Sequence, residues 1–147
     1  MKKTIVLLVC VMVSMLSMAQ DKRKFSPEKF QADLEAFIKQ EAKFSDEEAA
    51  KYFPLLREMQ QKQRSLYARM HHSGKEKPAD EKGCEATIRD CDRINIELKQ
   101  LEQTYHKKMI QVLPASKVYD AIKAENRFHR RMMKGWQHSK DKPKDRR

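Results

Sequence analysis

From Cys84 to Val112 the chain runs for 29 residues without proline or glycine, and its apolar residues keep to one line. Cys84, Cys91, Ile94, Leu98, Leu101, Tyr105 and Val112 recur at near-heptad intervals, interrupted at Lys108. That spacing predicts an α-helix with a single packing face. At ~1.5 Å per residue such a helix spans roughly 40 Å, more than a small globule needs. An elongated bundle or a coiled-coil dimer follows.

Three further helices are predicted around it. The first opens at Ser26-Pro27, an N-cap followed by proline at the first helical position, where a missing N–H costs nothing. Phe30, Leu34, Phe37 and Ile38 give it one apolar face, and it ends near Glu41. The second opens at Phe44-Ser45-Asp46-Glu47-Glu48, where Ser45 and Glu48 fit a capping box and Phe44 packs on the first turn. Its apolar line runs through Ala49, Tyr52, Phe53, Leu56, Met59, Leu66 and Met70, with a polar break at Gln60 to Arg64. Pro54 predicts a kink or a restart after Phe53. A mobile loop is expected from His71 to Gly83, followed by the long helix. Leu113-Pro114 ends that helix, and a fourth begins near Ala115 or Ser116, with Val118, Tyr119, Ile122 and Phe128 on its inner side. Gly135 stops it, and residues 137–147 are expected to form a disordered basic tail.

The first nineteen residues do not belong to this pattern. Lys2 and Lys3 precede an apolar run from Ile5 to Val13, and Ser17-Met18-Ala19 supplies small residues at a cleavage site. That is the anatomy of a secretory signal peptide, and the run is too short to cross a membrane. Cys10 lies inside the apolar run, too early for a lipoprotein cysteine. Removing residues 1–19 from the 147 leaves a mature chain of 128, with an all-α domain over 20–136. Two of the 32 basic residues go with the leader, so 30 face 21 acidic ones, a net charge of +9. An exported chain of that charge meets acidic unfolded proteins or anionic lipids rather than nucleic acid. Three glycines disfavour a turn-rich β fold, and there is no Gly-rich phosphate loop, paired CxxC or GxSxG elbow. The composition argues against an enzyme and calls for no cofactor.

The two junctions, Phe44-Ser45-Asp46-Glu47-Glu48 and Leu113-Pro114-Ala115-Ser116-Lys117, resemble the paired Leu-Thr-x-x-Gln elements of the exported Spy/CpxP-like proteins of bacteria. Phe replaces Leu in the first; Ser or Pro stands for Thr, and Glu or Lys for Gln. The resemblance covers nearly all of the mature chain. It implies a four-helix, kinked, hairpin-like fold that dimerises through long antiparallel helices into a cradle. It also implies an ATP-independent periplasmic chaperone for partly unfolded envelope proteins, a stress-response role, or a metal or stress sensor that binds a membrane regulator. A structural helical adaptor is the third reading.

Candidate functional residues follow from charge and softness. Lys107, Lys108, Arg127, Arg130 and Arg131 could form a basic rim beside the adaptable apolar groups Met132, Met133 and Trp136. Glu125 and His129, one turn apart, with His71 and His72 from elsewhere, are the weak candidates for a metal site. Cys84 and Cys91 are the cysteines of the mature chain. Seven residues apart on one helix, their Cα atoms lie about 10.5 Å apart, beyond the ~7 Å that a disulfide spans. A bond within the chain therefore requires the helix to start after Cys84; the alternatives are a bond between chains or two free thiols.

Overall fold

The computed structural model describes residues 26–140, with side chains as far as Gly135. The expected leader, residues 1–19, and the end of the expected tail, residues 141–147, lie outside the described residues. The chain divides into two units after Ala32. Of the first unit, Ser26 and the opening turns of the first helix are described; the tertiary contacts below lie within the second.

Among the described residues, four helices make up an all-α bundle: α1 (Pro27–Glu41), α2 (Asp46–Ser73), α3 (Glu81–Val112) and α4 (Ala115–Lys140). At the start of α1 the Lys29 N–H donates to Ser26 Oγ at 3.2 Å, the cap expected there. Its end is a Schellman turn. The Phe44 N–H donates to the Lys39 carbonyl (2.9 Å) and the Lys43 N–H to that of Gln40 (3.3 Å). Lys43 takes the left-handed position at φ 51°, where glycine is the usual occupant.

The chain leaves that turn directly into the capping box of α2. The Glu48 N–H donates to Ser45 Oγ (3.1 Å), and the Ser45 N–H donates to Glu48 Oε2 (2.8 Å). Phe44 is buried against the rings of Tyr52 and Phe53, with centroids 5.2 and 6.2 Å away. The second junction comes to the same place. Lys117 Nζ donates to the Lys43 carbonyl at 2.6 Å and to Glu48 Oε2 at 3.3 Å. Hydrogen bonding from the Ser45 N–H, aided by Lys117, holds the Glu48 carboxyl below its ordinary range.

Side-chain pairs fix the helix directions. Gln63 meets Glu102 and Arg69 meets Glu97, so rising numbers on α2 meet falling numbers on α3 and the two are antiparallel. Glu41 pairs with Arg127 at 2.7 Å, and the Phe37 ring meets that of Phe128 in a tilted contact with centroids 5.6 Å apart, so α4 runs back along α1. Gln60 Nε2 ties α2 to Glu125 of α4 at 3.2 Å. The core sits where these helices meet: Leu34, Ile38, Tyr52, Leu56, Tyr105, Met109 and Val118 are almost wholly buried. Each large aliphatic side chain there contributes about 1.5–3 kcal/mol by leaving water.

Several expectations are corrected. Of the two outcomes expected at Pro54, a kink or a restart, the restart does not occur: α2 is one continuous helix through it. Proline there forfeits the bond to the Ala50 carbonyl, but Phe53 and Leu56 on either side are buried, and their packing holds the helix together. The loop is shorter than His71 to Gly83. The Gly74 N–H caps α2 through the Met70 carbonyl, and Asp80 Oδ1 accepts the Gly83 N–H at 2.6 Å, starting α3 at Glu81. His71 and His72 therefore stand in the last turn of α2. On α3, Val112 is 43% exposed and Met109 takes its place in the core. On α4, Tyr119 is 60% exposed and Ile122 half-buried, while Val118, Ala121, Ala124 and Phe128 form the inner face. Close approach of this helix selects small residues that hydropathy ranks low. Gly135 does not end α4, which continues to Lys140 over the first residues of the expected tail. One glycine costs a helix only about 1 kcal/mol.

Replacing Lys43 with glycine should relieve the left-handed strain and raise stability by up to about 1 kcal/mol, read as an increase in the urea midpoint. Ala121→Leu should overpack the α4 interface and cost about 1–3 kcal/mol, whereas Tyr119→Ala should change stability by less than about 0.5 kcal/mol. Thermal melts of the two variants check the register of α4.

Candidate partner-binding faces

Helix α4 is held by its inner face, which leaves an outward stripe at alternating four- and three-residue steps. Tyr119, Lys123, Asn126, Arg130 and Met133 all lie on it, and all are exposed. The Lys123 ammonium rests over the Tyr119 ring at 5.3 Å from its centroid, and Met133 is 57% exposed. Two cations thus stand between a solvent-facing aromatic and a solvent-facing thioether along four turns of one helix. Regular helical steps aim all five side chains the same way.

Helix α3 carries a second stripe of the same kind. Ile96, Lys99, Gln103, Lys107 and Ile110 are exposed, and the flanking isoleucines are 58% and 50% accessible. They lie on the side of α3 opposite its buried residues Ile94, Leu98, Tyr105 and Met109. Lys99 is steadied by Glu102 at 2.8 Å. In both stripes an apolar group stands at each end, with two cations and one amide between. Neither periodicity nor hydropathy marks these residues as a site, because exposed isoleucine and tyrosine read as core until the buried face is known.

The structure divides the basic and apolar residues singled out from the sequence. Arg130 and Met133 share the α4 stripe, and Lys107 belongs to that of α3. The others serve the fold. Arg127 pairs with Glu41, and the Arg131 guanidinium lies over the Phe37 ring at 4.9 Å, so both hold α4 against α1. Lys108 covers Tyr105 at 4.5 Å, with Lys62 over the same ring at 5.3 Å. Met132 is half-buried. The side chain of Trp136 lies outside the described residues.

The four weak metal candidates are not brought together. His129 Nε2 lies 3.7 Å from Glu125 Oε1, which also accepts from Gln60. His71 and His72 stand eleven or more residues further along α2 than Gln60, about 16 Å away at ~1.5 Å per residue. Among the described residues, no group of three or more His, Cys, Asp or Glu side chains is placed to hold an ion. Tyr52 is kept neutral, its hydroxyl pushed above its ordinary range by burial and by the Glu125 charge. Cys84 and Cys91 are free and half-buried, both within the continuous α3. The helix start at Glu81 removes the condition for a bond between them within one chain.

Comparison with family models, with curated proteins and with solved structures finds no match to this chain. The functional reading therefore rests on the two stripes and on the junction residues themselves.

Truncating Arg127 and Arg131 together to alanine should lower stability by about 1 kcal/mol, through loss of an ion pair and a cation–π contact. Arg130→Ala should leave it within about 0.5 kcal/mol. Chemical denaturation of both variants separates the residues that hold the fold from those offered to solvent.

Proposed function

We propose that the chain is an exported, Spy/CpxP-like holding chaperone that binds partly unfolded envelope proteins without nucleotide or cofactor. The observation that carries this reading is the α4 stripe, in which Lys123 and Arg130 stand between Tyr119 and Met133 on a solvent-facing helix. Lysine and arginine draw in acidic, unfolded chains by long-range attraction. The aromatic ring and the thioether then make adaptable apolar contacts that tolerate varied partners. Each contact is weak, so a client can leave or fold while still in contact. The α3 stripe offers the same chemistry a second time, and two modest sites on one chain raise the effective concentration of a long client.

The periplasm is the proposed compartment, on the strength of the leader-like residues 1–19. A stress-response role and assembly as a homodimer are further parts of the family reading, which the two junction elements support.

The test is aggregation of a chemically unfolded acidic protein, followed by light scattering, with the chain present in EDTA and without ATP. Suppression is expected near one dimer per client. Exchanging Lys123 and Arg130 for glutamate should raise the chain needed for half-suppression at least tenfold, with an unchanged melting temperature. No suppression by the unaltered chain at several-fold excess would overturn the proposal.

A further inference from the structure

Helix α3 is longer than the partner it packs on. Arg69 of α2 meets Glu97 of α3 and Gln63 meets Glu102. By that register Ser73, the last residue of α2, faces about Arg93. The first twelve residues of α3, Glu81 to Asp92, project beyond it by about 18 Å at ~1.5 Å per residue. On this projection the packing face of α3 continues through Cys84, Ile88 and Cys91, spaced i, i+4, i+7. Ile88 is 61% exposed and the two thiols are half-buried. Cys84 has Pro78 of the loop beside it, its Sγ 3.7 Å from the Pro78 carbonyl.

We infer that two copies of the chain join at this projection through reciprocal disulfides, Cys84 to the partner's Cys91 and Cys91 to the partner's Cys84. The segment is self-complementary. A two-fold axis between Thr87 and Ile88, perpendicular to two antiparallel helices, sets each cysteine opposite the other kind. A second copy so placed runs antiparallel along the projecting turns, beside the returning loop whose Pro78 rests against Cys84. Helices packed at 8–10 Å, with Cα atoms about 2.3 Å from each axis, bring facing Cα atoms to roughly 3.5–5.5 Å. That distance overlaps the range a disulfide requires. Ile88, otherwise in water, meets its symmetry mate at the axis. The arrangement also draws Glu85 towards the partner's Asp92; Arg89, paired with Glu85 at 3.2 Å, mutes that repulsion.

Each bond needs a disulfide donor as oxidant, such as oxidised glutathione or a thiol oxidase. The Cys84 thiolate attacks the donor disulfide and expels one donor thiolate. The thiolate of the partner's Cys91 then attacks Cys84 Sγ in the mixed disulfide and expels the second. Two cysteine thiols lose two electrons and two protons, and the donor gains them as two thiols.

The full chain, incubated with oxidised glutathione, should run as a dimer on a non-reducing gel and as a monomer after dithiothreitol. Trypsin digestion of the dimer band should yield peptide 83–89, which contains Cys84, linked to peptide 90–93, which contains Cys91. Cys84→Ser and Cys91→Ser alone should each give at least tenfold less dimer. An equal mixture of the two should restore the band, because one chain then supplies Cys91 and the other Cys84. A monomer band alone for the unaltered chain, dimer at full yield from either single variant, or linked peptides of one kind only would overturn the inference. The result is independent of client binding.

Discussion

The Lys117 ammonium sits where three backbone events converge. It donates to the carbonyl of Lys43, the left-handed residue that closes α1, and to the carboxylate of Glu48, which caps α2. Lys117 itself lies in the first turn of α4, three residues beyond the proline that separates it from α3. All four helices are thus referred to one cation. The directions of α1, α2 and α4 are set within a few residues of it, and Phe44 and Leu113 are buried at the two junctions it links. The exposed stripe of α4 owes its rigidity to this arrangement, since α4 can present a steady outer face only while its inner face is held.

What could be read from the sequence was local. Ser26-Pro27 and the Ser45–Glu48 pair set helix starts correctly because a cap needs only its own next three residues. The same logic reaches Asp80, but a helix start is hidden there by flanking lysines, glutamates and glycine that read as loop. On α4, Val118 and Phe128 face inward as expected, and the departure at Tyr119 has a different reason. Tyr119 and Ile122 outrank Ala121 and Ala124 in hydropathy, yet close approach of helices selects small side chains. Gln60 and Gln63 looked like a gap in the α2 stripe; they are crosslinks to Glu125 and Glu102 on two other helices. Arg127 and Arg131 looked like a charged rim, and only the fold shows Glu41 and Phe37 underneath them.

This division also explains why the candidate faces were only partly visible. Their chemistry, cationic and apolar together, was legible from composition and from the run of Arg127, Arg130, Arg131, Met132 and Met133. Which members face solvent was not, because that depends on the turn of each helix against its neighbours. Once the buried faces are known, Tyr119 passes from expected core to the surface, Met133 stays among the exposed groups, and Lys123 joins the stripe without any signal of its own. Glu48 and Lys117 tie the two junctions together as an ion pair, a contact that neither junction shows when read alone.

The antiparallel pair α2–α3 has unequal ends. Near the junction it is packed by Tyr52, Leu56, Met59, Tyr105 and Met109, with α1 and α4 close by. Past Gln63 the deeply buried residues are Ile94 and Leu98, and the remaining ties are half-exposed ion pairs such as Arg69–Glu97. Opening that far end sacrifices little buried surface, so its backbone amides should trade hydrogen for deuterium through local excursions while those near Lys117 wait for global unfolding. The molecule is built as a stiff root with a compliant tip, and the tip is the part that carries both thiols.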